Sequence, residues 1–141
     1  MGKKRIVKKS GGSDAKGRSA AKVSKKKLAE GTLHIEATFN NTKAVLSDKK
    51  GNTFAWSSSG SLGFKGAKKG TPFAAGKVGD VLAEKAETMG LKEFDVVIKG
   101  VGQGREPVIR SFLAKGIDLL AIRDETPVPH NGPKKKKPRR V

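Results

Sequence analysis

The sequence predicts a mixed α/β fold, in which an antiparallel hairpin edge joins parallel strands and helices pack on the sheet. Three observations carry this. Residues 32–39, TLHIEATF, alternate apolar and polar side chains strictly, which is the period of a half-buried strand. Two later segments repeat apolar residues at helical spacing, and each stops at a glycine, Gly90 and Gly116. The second of them lies between two short apolar runs, and a strand–helix–strand connection crosses over to make its strands parallel neighbours. The predicted order is β-β-β-α-β-α-β.

Charge divides the chain before any element is placed. The net charge is +18 over 141 residues. Residues 1–27 hold 11 basic residues against 1 acid, residues 28–124 hold 14 against 11, and residues 125–141 hold 6 against 1. A nearly balanced body, residues 30–124, thus carries a basic N-terminal arm over residues 1–29 and a basic C-terminal tail over residues 125–141. Such arms suit a polyanion, above all nucleic acid. An anionic membrane surface is disfavoured, since neither arm has the aromatic and leucine face of an interfacial helix. The arm is acid-poor like an organellar transit peptide, but it lacks an amphipathic period. With no cysteine and only His34 and His130, disulfides are excluded and a zinc site is disfavoured. The chain offers no membrane-length apolar run and no sign of a bound cofactor or small-molecule substrate.

The arm should be flexible, because Ile6, Val7 and Val23 are too few aliphatics to offset ordering entropy. In the first strand, 32–39, Leu33, Ile35, Ala37 and Phe39 should face the core. Asn40 and Asn41 form a turn, since asparagine tolerates left-handed backbone angles. Strands over 43–47 and 53–57, the latter with Phe54 and Trp56, complete a meander around the turn at 48–52.

Residues 58–70, SSGSLGFKGAKKG, contain Gly60, Gly63, Gly66 and Gly70, the lysines Lys65, Lys68 and Lys69, the aromatic Phe64 and no acid. A flexible surface loop would look like this. So would a nucleic-acid loop, in which glycines admit phosphates, lysines neutralise them and Phe64 stacks on a base or ribose.

Thr71 is placed as an N-cap with Pro72 at the first helical position. The helix should run to about Met89 with Ala75, Val78, Leu82, Ala86 and Met89 as its buried stripe. Gly79 inside it costs about 1 kcal/mol against alanine, so the helix is either marginal or closely packed there. Gly90 should end it, with Leu91 making the apolar contact of the cap.

The stretch from Phe94 to Leu120 organises the rest. Phe94, Val96, Val97 and Ile98 read as a buried strand followed by Lys99. Gly100, Gly102 and Gly104 follow at alternate positions, and a helix runs from Arg105 to Lys115 with Val108, Ile109, Phe112 and Leu113 on its apolar face. A glycine loop entering a helix N-terminus favours anions. The glycines equally suit a tight turn that needs only their backbone freedom. A dinucleotide fingerprint fits poorly, because Arg105 takes the place of its third glycine, although Asp124 lies at a plausible distance for a ribose contact. The last strand is 118–124.

Beyond it, ETPVPHNGPKKKKPRRV combines stiffening prolines with Lys134, Lys135, Lys136, Lys137, Arg139 and Arg140. His130 is a surface histidine or an RNA contact. Asn131-Gly132 is prone to succinimide formation, because no side chain follows the asparagine.

Metal-dependent nuclease chemistry would need several converging carboxylates. Only Glu36, outward on the first strand, and Glu84, on the first helix, are candidates, and no third acid pairs with them. A free regulatory RNA-binding protein is a further alternative.

The motifs TLHIEATFNNT, WSSSGSLGFKGAKKGTPFAA, VIKGVGQGRE, IRDETPVPHNG and the terminal PRRV resemble, in colinear order over 31–141, the eleventh small-subunit ribosomal protein family in its bacterial form. The resemblance implies a three-layer, ribonuclease-H-like α/β fold with a mixed five-stranded sheet. It implies binding to 16S rRNA on the platform of the 30S subunit in the cytoplasm. It places the mRNA exit channel and the Shine-Dalgarno cleft nearby, with the eighteenth and twenty-first small-subunit proteins as neighbours. RNA-facing residues would be Asn40 and Asn41, the loop around Phe64 to Lys69, Gly100 to Arg105, and His130 to the C-terminus. The sequence departs from the family pattern at Val101 and Gln103, where prolines are usual. It departs again after Gly132, where lysines replace arginine, and lysine cannot make arginine's planar fork.

Overall fold

The computed structural model describes residues 27–140, so the expectation for the N-terminal arm up to residue 26 lies outside the described residues. At the end of the arm Leu28 is buried in the core, and its N–H donates to the Met89 carbonyl at 3.0 Å. Five strands form one sheet: β1 (Glu30–Ala37), β2 (Thr42–Ser47), β3 (Thr53–Ser58), β4 (Glu93–Lys99) and β5 (Asp118–Asp124). Two helices, α1 (Pro72–Thr88) and α2 (Arg105–Ala114), join the later strands, and a short 3-10 turn spans Gly66–Gly70. The spatial order is β3-β2-β1-β4-β5. β2 is antiparallel to both neighbours, while β1, β4 and β5 run parallel, so β2 alone is reversed. The expected meander and crossovers are therefore both present.

The helix ends follow from local chemistry. The Thr71 hydroxyl accepts the Ala74 N–H at 3.3 Å, satisfying one orphan donor of α1, and Pro72 stands where no N–H is needed. Both helices close with a left-handed glycine. At Gly90 (φ 79°) the Leu91 N–H reaches the Ala86 carbonyl, and at Gly116 (φ 78°) the Ile117 N–H reaches the Phe112 carbonyl.

Both helices lie on the same face of the sheet. One core cluster joins Leu33, Ile35, Leu46, Phe94 and Val96 from the strands to Val78, Leu82, Val108 and Phe112 from the helices. Phe94 and Phe112 stack at 5.2 Å between ring centres. Burying each phenyl ring contributes about 1.5–3 kcal/mol. The helices meet at Gly79, which is buried against Val108 and Ser111, and the Ser111 hydroxyl lies 3.1 Å from the Gly76 carbonyl. Close packing is thus the reason for Gly79.

The opposite face has no helix among the described residues, which form two layers where three were expected. A cross-strand row of Trp56, Val45, His34, Val97 and Arg123 runs across it. Burial and the nearby Lys99 and Arg123 charges hold the His34 pKa below its ordinary value. Two further expectations are corrected. Phe39 is 78% exposed rather than in the core, and Leu113 is exposed on α2. The first strand ends at Ala37 because Thr38 folds back on Asn41: the Thr38 N–H donates to the Asn41 carbonyl at 2.8 Å, and the Thr38 hydroxyl accepts the Asn41 N–H at 3.1 Å.

Candidate nucleic-acid interface

Because β2 alone is reversed, the carboxyl ends of β1, β3, β4 and β5 share one edge of the sheet. The turn with Asn40 and Asn41, the loop with Gly60 to Gly70, the segment from Lys99 to Arg105 and the root of the tail all leave from it. Residues distant in sequence are thereby brought to one rim, the usual position for binding residues in an open α/β sheet.

Direct contacts tie these loops together. A Cβ at Gly70 would overlap the Phe39 carbonyl, so the lysine loop sits on the turn after β1. The Ser59 N–H donates to the Thr42 carbonyl at 2.9 Å, and the Thr42 N–H to the Ser59 hydroxyl at 3.3 Å. Within the loop, Gly63 (φ 95°) and Gly66 (φ 62°) turn through left-handed angles with open space around them. Gly60, Lys65 and Lys68 are exposed, while Lys69 and Phe64 are half-buried.

Of the two readings of the alternate glycines, the structure supplies close contacts for the one that needs only room for the backbone. A Cβ at Gly100 would overlap the Ala37 carbonyl, one at Gly102 the Thr38 carbonyl, and one at Gly104 the Thr42 hydroxyl. Two of their N–H groups are also engaged: Gly102 donates to the Ala37 carbonyl at 2.9 Å and Gly100 to the Thr126 hydroxyl at 3.2 Å. The spacing lets the loop lie flat on the end of β1. Two of the loop's donors are thereby used within the protein, while the N-terminus of α2 has no side-chain cap.

Arg105 is turned toward the tail. Its guanidinium donates to Asp124 at 2.5 Å. The Asp124 carboxylate also accepts the Thr126 hydroxyl at 2.5 Å and the Thr126 N–H at 3.0 Å. Hydrogen bonds from Thr126, with Arg105 next, hold its pKa down at about 2. The root of the tail is therefore fixed, and the residues beyond it are exposed and lie outside any helix or strand. His130, Asn131, Gly132, Lys134, Lys135, Lys136, Lys137, Arg139 and Arg140 all face solvent, with Asn131 in the left-handed region at φ 56°.

No acid among the described residues forms an ion pair with Lys65, Lys68, Lys69, Lys77 or Lys99, whereas Lys43 pairs with Glu36 at 3.0 Å and Arg123 with Glu125 at 3.6 Å. Cations left unpaired on a rim are available to phosphates. The two carboxylates weighed for metal chemistry lie apart, Glu36 on the open sheet face and Glu84 on the outer side of α1. No group of three or more potential metal-binding side chains occurs among the described residues. No helix among them is long and apolar enough to cross a membrane.

Sequence reasoning missed two aromatics on this rim. Phe73, in the first turn of α1, is 67% exposed, and Phe39 projects from the turn instead of closing the strand before it. The signal for Phe73 was available: the apolar stripe of the helix passes through Ala75 and Val78 and leaves position 73 outside it. Residues 31–140 match the family model described as Ribosomal protein S11.

Proposed function

The chain belongs to the ribosomal protein S11 family, and from that premise we propose where and through which surface it acts. The family makes it a small-subunit ribosomal protein that binds ribosomal RNA, in a family of structural components and not of enzymes. Our reading is that it occupies the platform of the 30S subunit of cytoplasmic ribosomes. There it would lie near the mRNA exit channel and the Shine-Dalgarno cleft, beside the eighteenth and twenty-first small-subunit proteins. The strand order with a single reversed strand supports a ribonuclease-H-like relationship, here without a second helical layer among the described residues.

The observation that carries the RNA surface is the convergence on one rim of the Asn40–Asn41 turn, the unpaired lysines of the loop, Lys99 and the root of the basic tail. In this reading the lysines and the tail neutralise phosphates. The glycines at 100, 102 and 104 hold the rim together by close contact with β1, the turn after it and β2.

Sedimentation of cell lysate through a sucrose gradient tests the assignment. The chain should migrate with small subunits and whole ribosomes in magnesium and resist moderate salt. Recovery at the top of the gradient would overturn it, and would favour a free regulatory RNA-binding protein.

A further inference from the structure

The rim carries more exposed aromatic surface than a phosphate-binding site needs. Phe39 is 78% exposed and Phe73 is 67% exposed. Phe64, the aromatic to which composition alone assigns stacking, is half-buried and packs edge-to-face on Phe73, with ring centres 6.1 Å apart and an interplanar angle of 85°. Lys77 Nζ stands 5.4 Å from the Phe73 ring centre. Phe64 and Lys77 together brace Phe73, while most of its surface stays open. Because Gly70 rests on the Phe39 carbonyl, Phe39 and Phe73 flank the same turn.

The surrounding charge identifies the occupant. Between Asp48 and Asp80 the chain has no acid, and it contributes Lys65, Lys68, Lys69 and Lys77 to this region. Exposed phenyl faces alone would suit any apolar partner. Phenyl faces set among unopposed cations suit unpaired nucleotides, which bring a flat apolar base and a negative phosphate together. Duplex RNA offers the phosphates but keeps its base faces stacked on each other.

We propose that Phe73 and Phe39 are stacking platforms for unpaired RNA bases, with Phe64 positioning Phe73 rather than stacking itself. The inference rests on the RNA-binding reading above, and assigns to it the single-stranded part of the RNA.

The test is titration of the full-length protein with a fluorescein-labelled oligoadenylate of about twelve nucleotides, within the range that single-strand sites span, and with a duplex of equal phosphate number. Both titrations are repeated over a range of salt. Phe73→Leu and Phe39→Leu should each weaken single-strand binding about tenfold, the scale of one lost stack. Duplex binding and the salt slope should stay unchanged, since no phosphate contact is removed. Phe73→Tyr should restore binding, and Lys68→Ala should lower the slope instead. Melting temperatures show that the exposed-site variants fold. Unaltered single-strand affinity in both leucine variants, or equal losses on duplex and single strand, would overturn the proposal and leave the RNA reading standing. A wild-type chain that binds neither probe would overturn both. A preference for an acidic peptide over the oligoadenylate, abolished by Phe73→Leu, would reassign the patch to a protein partner.

Discussion

Gly102 lies against the backbone of Thr38 so closely that no side chain fits between them, and its N–H is spent on the Ala37 carbonyl. The glycine is there for the protein's own packing. Gly102→Val should therefore unfold the loop rather than merely weaken RNA binding. The expected loss is about 3 kcal/mol, because the obstructing atoms are backbone and cannot rotate away. Chemical denaturation measures it; a variant of native stability that fails only in subunit assembly would show that the loop has room to move.

Gly76 and Gly79 lie one helical turn apart in α1 and should respond in opposite directions. Nothing lies within 4 Å of a Cβ added at Gly76, so Gly76→Ala should stabilise by about 1 kcal/mol through helix propensity and a less flexible unfolded chain. At Gly79 the same Cβ would meet Ser111 at 2.8 Å and the Val108 backbone at 2.9 Å. There the propensity gain is outweighed, and Gly79→Ala should lower the melting temperature by pushing α2 away.

Asp124 predicts an acid-sensitive tail root. Folding depresses its pKa from an ordinary 3.8 to about 2, so the unfolded chain takes up the proton first as pH falls. Its contribution is complete above pH 3.8 and is lost as pH drops toward about 2. Thr126→Val removes the largest cause of the shift. An NMR titration of the Asp124 carboxyl should then show its midpoint moving up toward the ordinary value, and an unmoved midpoint would assign the effect to Arg105.

Deleting residues 133–141 should weaken RNA binding and flatten its salt dependence. Each tail cation resting on a phosphate contributes about 0.7–0.9 to the slope of log K against log salt. Filter binding at several salt concentrations gives the difference directly. An unchanged slope would mean that the lysines and arginines of the tail are only solvated.

Most elements were legible because their signals are local. Alternation marked β1, the Thr71–Pro72 pair marked the start of α1, and Gly90 and Gly116 marked both helix ends. Phe39 was misplaced because alternation continues through it while the Thr38–Asn41 turn stops the strand. How closely α2 packs on α1 depends on the contact of Gly79 with Ser111, residues far apart in the chain, and no local period encodes it. The same holds for Gly100, Gly102 and Gly104: their spacing was visible, but the carbonyls and hydroxyl they lie against belong to β1, the turn after it and β2. At the rim the lysines could be read from composition alone. The exposed aromatic beside them needed the helical period as well, since a phenylalanine in a helix is by default a core residue and only its place off the Ala75–Val78 stripe marks Phe73 as exposed.

The hydrogen bond from Gly100 to Thr126 fixes where the tail begins its search. Beyond it, the segment from Pro127 to Arg140 reaches at most about 50 Å when fully extended. Once the rim has docked, the tail's cations are confined within that radius of their target. A tether of this length holds them at a local concentration on the order of millimolar. The tail can then be individually weak and still stay bound, since each dissociation is followed by recapture from close by. Loss of the Asp124–Thr126–Gly100 anchor would lengthen the tether and dilute the tail without altering any residue that touches RNA.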